Sequence, residues 1–136
     1  MNKTVSLISR CPAVHAGPLS SPALPGEVSP QFTHISVLVP GFSIDTNGRA
    51  LCSGLARLYS SSQTVEMTIE LQKSSGSGWA EVTTWCDKGP GFPGVNLERA
   101  FYITRGTYRV CVTAKAYSES GVLLETASQY SHAVTY

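Results

Sequence analysis

The segment Thr64–Lys73, TVEMTIELQK, alternates with a period of two: Val65, Met67, Ile69 and Leu71 interleave with Glu66, Thr68, Glu70 and Gln72. Successive side chains of an extended chain point to opposite faces, so this stretch reads as a strand with one face in a core and the other in water. Tyr108, Val110, Val112, Ala114 and Ala116 repeat the pattern against Arg109, Thr113 and Lys115. Ala50, Cys52, Gly54 and Ala56 form a small-residue version facing Ser53 and Arg57, and Phe101 with Ile103 belongs to a further strand.

The punctuation between these runs is turn chemistry. Asp45-Thr-Asn-Gly48, Ser74-Ser-Gly-Ser-Gly78 and Ser118-Glu-Ser-Gly121 join neighbouring strands. No window offers an amphipathic helix of three turns. Seven strands are predicted, over 33–44, 48–59, 64–73, 79–86, 95–103, 107–117 and 122–135. Short strands joined by Ser/Gly turns imply an all-β fold, an antiparallel immunoglobulin-like β-sandwich of about seven strands, with a small closed barrel as the alternative.

The chain of 136 residues has room for one core. Charged residues make up 14% of it, and ten Lys/Arg against nine Asp/Glu leave a formal +1. That balance excludes the basic patch of a nucleic-acid binder and the polybasic surface of a membrane-associated protein. A hydrophobic content of 42% excludes a disordered chain. No apolar run approaches the roughly 20 residues of a membrane-spanning helix.

Residues 1–30 read as a leader and Pro-rich spacer, and 31–136 as the single domain. Met1-Asn2-Lys3 resembles a positive n-region, and Val14-His15-Ala16 before Gly17 a small-residue cleavage site. The apolar run Val5–Ile8 between them is short and is followed by Arg10. Gly17 to Pro30, GPLSSPALPGEVSP, carries four prolines and reads as extended linker. The expected location is secreted or extracellular.

Several short motifs, taken in order, point to a group of known proteins. Leu71-Gln72-Lys73 is followed by Ser/Gly and Trp79, then by Gly106-Thr-Tyr-Arg-Val110, Tyr130-Ser131 and Val134-Thr-Tyr136. With Glu27-Val-Ser-Pro30 ahead of the first strand, the chain resembles small secreted β-sandwich proteins of Gram-positive gut bacteria, a family of undefined function. The resemblance spans about Glu27 to Tyr136 and implies export and a sandwich fold. It carries over no catalytic residues. Cys86, Cys111 and the Gly/Pro insertion after Cys86 depart from it.

Of the four cysteines, Cys52 shares the inward phase of Ala50 and Ala56, whereas Cys111 shares the outward phase of Arg109 and Thr113. Cystine Cα atoms lie within about 7 Å, so Cys52 and Cys111 do not suit one bond. If the strand that Cys86 ends lies near the Cys111 strand, a surface cystine can form, so Cys86–Cys111 is the expected disulfide, worth roughly 3 kcal/mol by loop closure, with four free thiols in a reducing cytoplasm as the alternative. Cys52 is expected as a small buried hydrophobe, and Cys11 belongs to the leader.

There is no CxxC, and His15, His34 and His132 have no ligand spacing with a cysteine, so neither metal nor cofactor is expected. No serine sits in a GxSxG elbow. His34 and His132 would be neighbours only if the first and last strands pair, and the chain is not expected to be an enzyme.

Aromatic residues carry the functional signal. Trp79 and Trp85 are six residues apart in one predicted strand and so share a face, either under the sheet in the core or as an exposed stacking platform for sugar rings. Tyr59, Phe92, Tyr102 and Tyr117 are further candidates. The stretch Thr84–Gly94, TWCDKGPGFPG, reads as an irregular connection, with Phe92 either tucked beneath it as a plug, the expected arrangement, or projecting from the rim as a lead to a binding site.

The expected role is a small extracellular binding or interaction module with a protein or glycan partner. One alternative is a carbohydrate-binding module using Trp79, Trp85, Phe92 and Tyr59. Another is a self-assembling surface protein, joined as a homo-oligomer through sparsely charged edge strands.

Overall fold

The computed structural model describes residues 32–136. The leader and spacer expected over 1–30, and Cys11 with them, lie outside the described residues. The strands are β1 (Ile35–Ile44), β2 (Arg49–Leu58), β3 (Thr64–Ser74), β4 (Trp79–Pro90), β5 (Val95–Tyr102), β6 (Thr107–Tyr117), β7 (Leu123–Tyr130) and a short β8 (Val134–Thr135). They form two antiparallel sheets, a three-stranded one of order β1-β2-β5 and a five-stranded one of order β4-β3-β6-β7 with β8 also on β6. This is the all-β sandwich that the period-two pattern implies.

The β3–β4 hairpin decides how the sheets divide. Ser74 pairs with Trp79, and across the turn the Ser75 N–H donates to Gly78 O at 2.8 Å, with Gly76 at φ +88°. A loop this short makes β4 the antiparallel neighbour of β3. In constant-type immunoglobulin domains the fourth strand instead joins the sheet of the first, second and fifth. Here β5 alone crosses back to pair with β2.

The crossing is made at Gly91–Gly94. The Gly91 N–H donates to Gln63 O at 2.7 Å, and Gly91 O accepts the Leu58 N–H at 2.8 Å, so both its backbone groups tie the two sheets together. The expected irregular loop is thus shorter than the sequence suggests. Lys88, Gly89 and Pro90 continue β4 opposite Glu66, Val65 and Thr64. Proline is tolerated there because β4 is an edge strand and need not donate on its outer side.

Val65, Met67, Ile69 and Leu71 of β3 are fully buried, with Val110, Val112, Ala114 and Ala116 of β6 beside them. The small stripe of β2 lets the sheets approach: a Cβ on Gly54 would lie 3.0 Å from the Met67 sulfur and 3.2 Å from the Val112 methyls. Tyr108 is buried where β6 begins, and its hydroxyl donates to Thr104 O at 3.0 Å. It is the corner tyrosine of such sandwiches, whose hydroxyl satisfies the backbone of the preceding turn.

The seam between β7 and β1 is closed by Glu125, the only charged residue of β7. It lies opposite Ala116, on the inward phase. Its carboxylate accepts the backbone N–H groups of His34 (2.6 Å), Ile35 (3.0 Å) and Thr33 (3.0 Å). Partial burial raises its pKa, but the three N–H groups, led by His34, outweigh that and hold it below the ordinary carboxylate value.

A depressed folded pKa means that this stabilisation is fully present above the unfolded carboxylate value, near 4.3, and is lost as pH falls through the lower folded value. Glu125→Ala is expected to cost about 1–3 kcal/mol at neutral pH. The difference from wild type should shrink on acidification below about pH 4. Urea melts of both proteins from pH 7 to pH 3 measure it, and a constant difference would contradict the assignment.

Candidate binding face

The register places an ordered row of polar groups on the outer face of the five-stranded sheet. Glu66, Thr68, Glu70 and Gln72 of β3 lie opposite Lys88, Cys86, Thr84 and Glu81 of β4. On the other side they lie opposite Lys115, Thr113, Cys111 and Arg109 of β6. Beyond β6, Thr126, Ser128 and Tyr130 of β7 face Lys115, Thr113 and Cys111.

At one end of this face Arg109 is held between two rings, its guanidinium carbon 4.2 Å from the Trp79 centroid and 4.2 Å from that of Tyr130. Its Nε donates to Gln72 Oε1 at 2.7 Å. The planar cation suits both faces it meets, since an aromatic face carries negative quadrupolar charge. Trp79 and Tyr130 remain 37% and 39% exposed, so the stack is still open to solvent. Beside it the Thr113 and Ser128 hydroxyls share a hydrogen bond of 2.7 Å.

Trp79 and Trp85 do not share a face. Leu71 pairs with Thr83 but Gln72 with Glu81, so Val82 is an extra residue in β4. A bulge of one residue inverts the alternation beyond it. Trp85, opposite inward-facing Ile69, packs on the core and meets Phe101 edge-on at 6.2 Å. Trp79, opposite Ser74, stands outside.

Phe92 is not a plug. It is 55% exposed, with the Arg57 guanidinium 5.7 Å from its ring, and Arg57 Nε donates to Pro93 O at 3.0 Å. The tight position in the crossing belongs to Gly91, whose Cβ would have to lie within the backbone of Ser60. Tyr59 is exposed nearby, since Leu58 and Gly91 are bonded to each other. The four aromatics of the carbohydrate-binding alternative are thus dispersed: Trp79 at one end of the sandwich, Phe92 and Tyr59 at the other, Trp85 inside.

The Cys86–Cys111 bond is not formed, because Cys111 is a free thiol. Strand β3 lies between β4 and β6, and Cys86 and Cys111 face different residues of it, Thr68 and Glu70. Two strand spacings put them roughly 10 Å apart, beyond the reach of a cystine. Cys52 is a free thiol as well, so neither it nor Cys111 is bonded to Cys86.

Cys52 is fully buried and free, and burial pushes its pKa up to about 12. Cys111 has the outward phase read from the sequence but is covered, like Thr68 and Thr113, the other short side chains on the two central strands. Burial raises its pKa, outweighing contacts with Thr113 and Tyr130 that lower it, so it is not a thiolate nucleophile.

His34 and His132 are not brought together by strand pairing. β1 pairs only with β2, and His132 follows β7 in the other sheet. Among the described residues no group of three or more His, Cys, Asp or Glu is placed to hold a metal ion, and no helix is long and apolar enough to cross a membrane.

Sequence alone does not single out Arg109, Tyr130 and Gln72 as site residues. The outward phase of Arg109 was readable, but its meeting with Trp79 and Tyr130 depends on the strand order. Comparison with protein-family models, curated proteins and solved structures finds no match to this chain.

Proposed function

We propose that the chain is a non-catalytic binding module acting outside the cell, with glycans as its ligand class. The observation that supports this is the Trp79–Arg109–Tyr130 stack: two exposed rings, already immobilised by the guanidinium between them, on a rigid sheet face. A sugar packs its C–H face on an aromatic ring and hydrogen-bonds through its hydroxyls. Gln72, Ser128 and the free N–H groups of Arg109 supply donors and acceptors beside the rings. Because the rings are held in place before binding, little side-chain entropy is lost on association.

The test is a glycan array with the wild-type chain, followed by calorimetry on the ligands retained. Trp79→Ala and Tyr130→Ala are each expected to weaken binding by roughly tenfold or more, as removal of a central aromatic anchor does. An empty array, or affinities indifferent to both substitutions, would overturn the reading.

A further inference from the structure

At the end of the sandwich where the β1–β2 turn meets the β5–β6 corner and β8, a cleft of about 320 Å³ is lined by Ile44, Asp45, Thr46, Arg105, Thr135 and Tyr136. Its size lies at the lower end of the range for small-molecule sites. Its back wall is fixed. The Tyr136 N–H donates to Gly106 O at 2.8 Å, and Tyr136 O accepts the Gly106 N–H at 3.3 Å. The Tyr136 ring lies against Gly48, where an added Cβ would come within 2.9 Å of the ring atoms. Gly48 itself holds φ +81°, so the turn and the ring are shaped to each other.

Arg105 lies over the open face of that ring, its guanidinium carbon 4.1 Å from the centroid. Among the described residues the stack is its one interaction, with no hydrogen bond or ion pair to any of them. An arginine has five N–H donors in a planar fork, and this one is oriented by stacking with all of them available.

The acid of the cleft does not neutralise it. Asp45 Oδ1 accepts the N–H groups of Asn47 at 2.8 Å and Arg49 at 3.0 Å, and these bonds hold its carboxyl below the usual value. The cleft therefore offers an unpaired fork of donors, an ionised acceptor and the hydroxyls of Thr46 and Thr135. A ligand that satisfies all three carries one carboxylate and several hydroxyls. A polyphosphate would bring several like charges against Asp45, where a single carboxylate seated on the Arg105 fork brings one.

We propose that this cleft binds the carboxylate of an acidic sugar, a uronic acid, on the Arg105 fork, with Asp45 and the threonine hydroxyls taking sugar hydroxyls. The proposal rests on the glycan reading above and adds a second subsite and a charge requirement to it.

The experiment is a titration of the full chain, followed by amide and arginine Nε–H NMR signals, with sodium glucuronate and in parallel with glucose. Glucuronate is expected to shift Thr46, Arg105 and Tyr136 saturably, and glucose is not. Arg105→Gln should weaken glucuronate binding by roughly tenfold or more, as loss of a charge-assisted pair does. Arg105→Lys should fall with it, because an ammonium lacks the fork. Arg105 is exposed, and an unchanged amide spectrum elsewhere shows that the variants are folded.

Equal shifts from glucose and glucuronate, or full affinity in Arg105→Gln, would overturn the proposal. If glucuronate titrates the cleft while Trp79→Ala and Tyr130→Ala leave glycan binding intact, the cleft stands and the sheet-face reading fails. If the aromatic variants lose binding and the cleft is silent, the reverse holds.

Discussion

Gly94→Ala should destabilise the fold by about 2–5 kcal/mol, whereas Gly121→Ala should cost only about 1–2 kcal/mol. Both glycines sit at positive φ, +96° and +92°, where a Cβ crowds the following carbonyl oxygen. They differ in their surroundings. A Cβ on Gly94 would overlap the Ala56 carbonyl oxygen and lie 2.8 Å from the Arg57 side chain, while one on Gly121 meets nothing within 4 Å.

The difference between the two variants therefore isolates the collision from the backbone strain. The Ala56 oxygen belongs to β2, the central strand of its sheet, and cannot swing away without breaking its ladder. At roughly 4–8 °C per kcal/mol for a domain of this size, the two melting temperatures should be well resolved. Equal losses in the two variants would mean that the β4–β5 crossing has slack that the backbone contacts deny.

The strand phases were legible because they are local. Alternation in TVEMTIELQK and TYRVCVTAKAY identifies the buried side of β3 and β6, and the same logic kept Cys52 and Cys111 apart. What failed depends on neighbours. Nothing in WAEVTTW marks Val82 as an extra residue, since no glycine flags it and the bulge exists only relative to β3. The proposed Cys86–Cys111 bond failed for the same reason. The outward side of Cys111 is readable from its strand alone, but the bond also needs β4 beside β6, and the hairpin turn puts β3 between them.

Loop chemistry was readable in kind and misread in extent. Pro90 looks like a stop, yet an edge strand accommodates it, and the crossing shrinks to Gly91–Gly94. Phe92, large and apolar, reads from the sequence as the buried residue, whereas the space beneath the crossing admits only a glycine. The candidate face was half legible. Trp79 was on the page as an aromatic, but Arg109 and Tyr130 join it only through the order β4-β3-β6-β7, and Arg105 meets Tyr136 through pairing of Gly106 with the last residues.

The two tryptophans should separate stability from recognition. Trp85→Ala is expected to cost about 3 kcal/mol, the lower end of the range for truncating a core aromatic, because its ring is half-buried rather than enclosed. Part of that loss, about 0.5–1.5 kcal/mol, is the edge-to-face contact with Phe101, which bridges the two sheets. A double-mutant cycle with Phe101→Ala should recover it as a coupling term.

Trp79→Ala removes a ring from an edge strand and frees Arg109 on one side, with Tyr130 and Gln72 still holding it. An exposed cation–aromatic contact is worth about 0.5–1 kcal/mol, so this variant should melt within a few degrees of wild type while losing glycan binding. Trp85→Phe, which keeps an aromatic ring in the core, should bind as wild type does. The opposite pattern, a large stability loss from Trp79→Ala and little from Trp85→Ala, would place the two rings on the wrong faces and remove the Val82 bulge from β4.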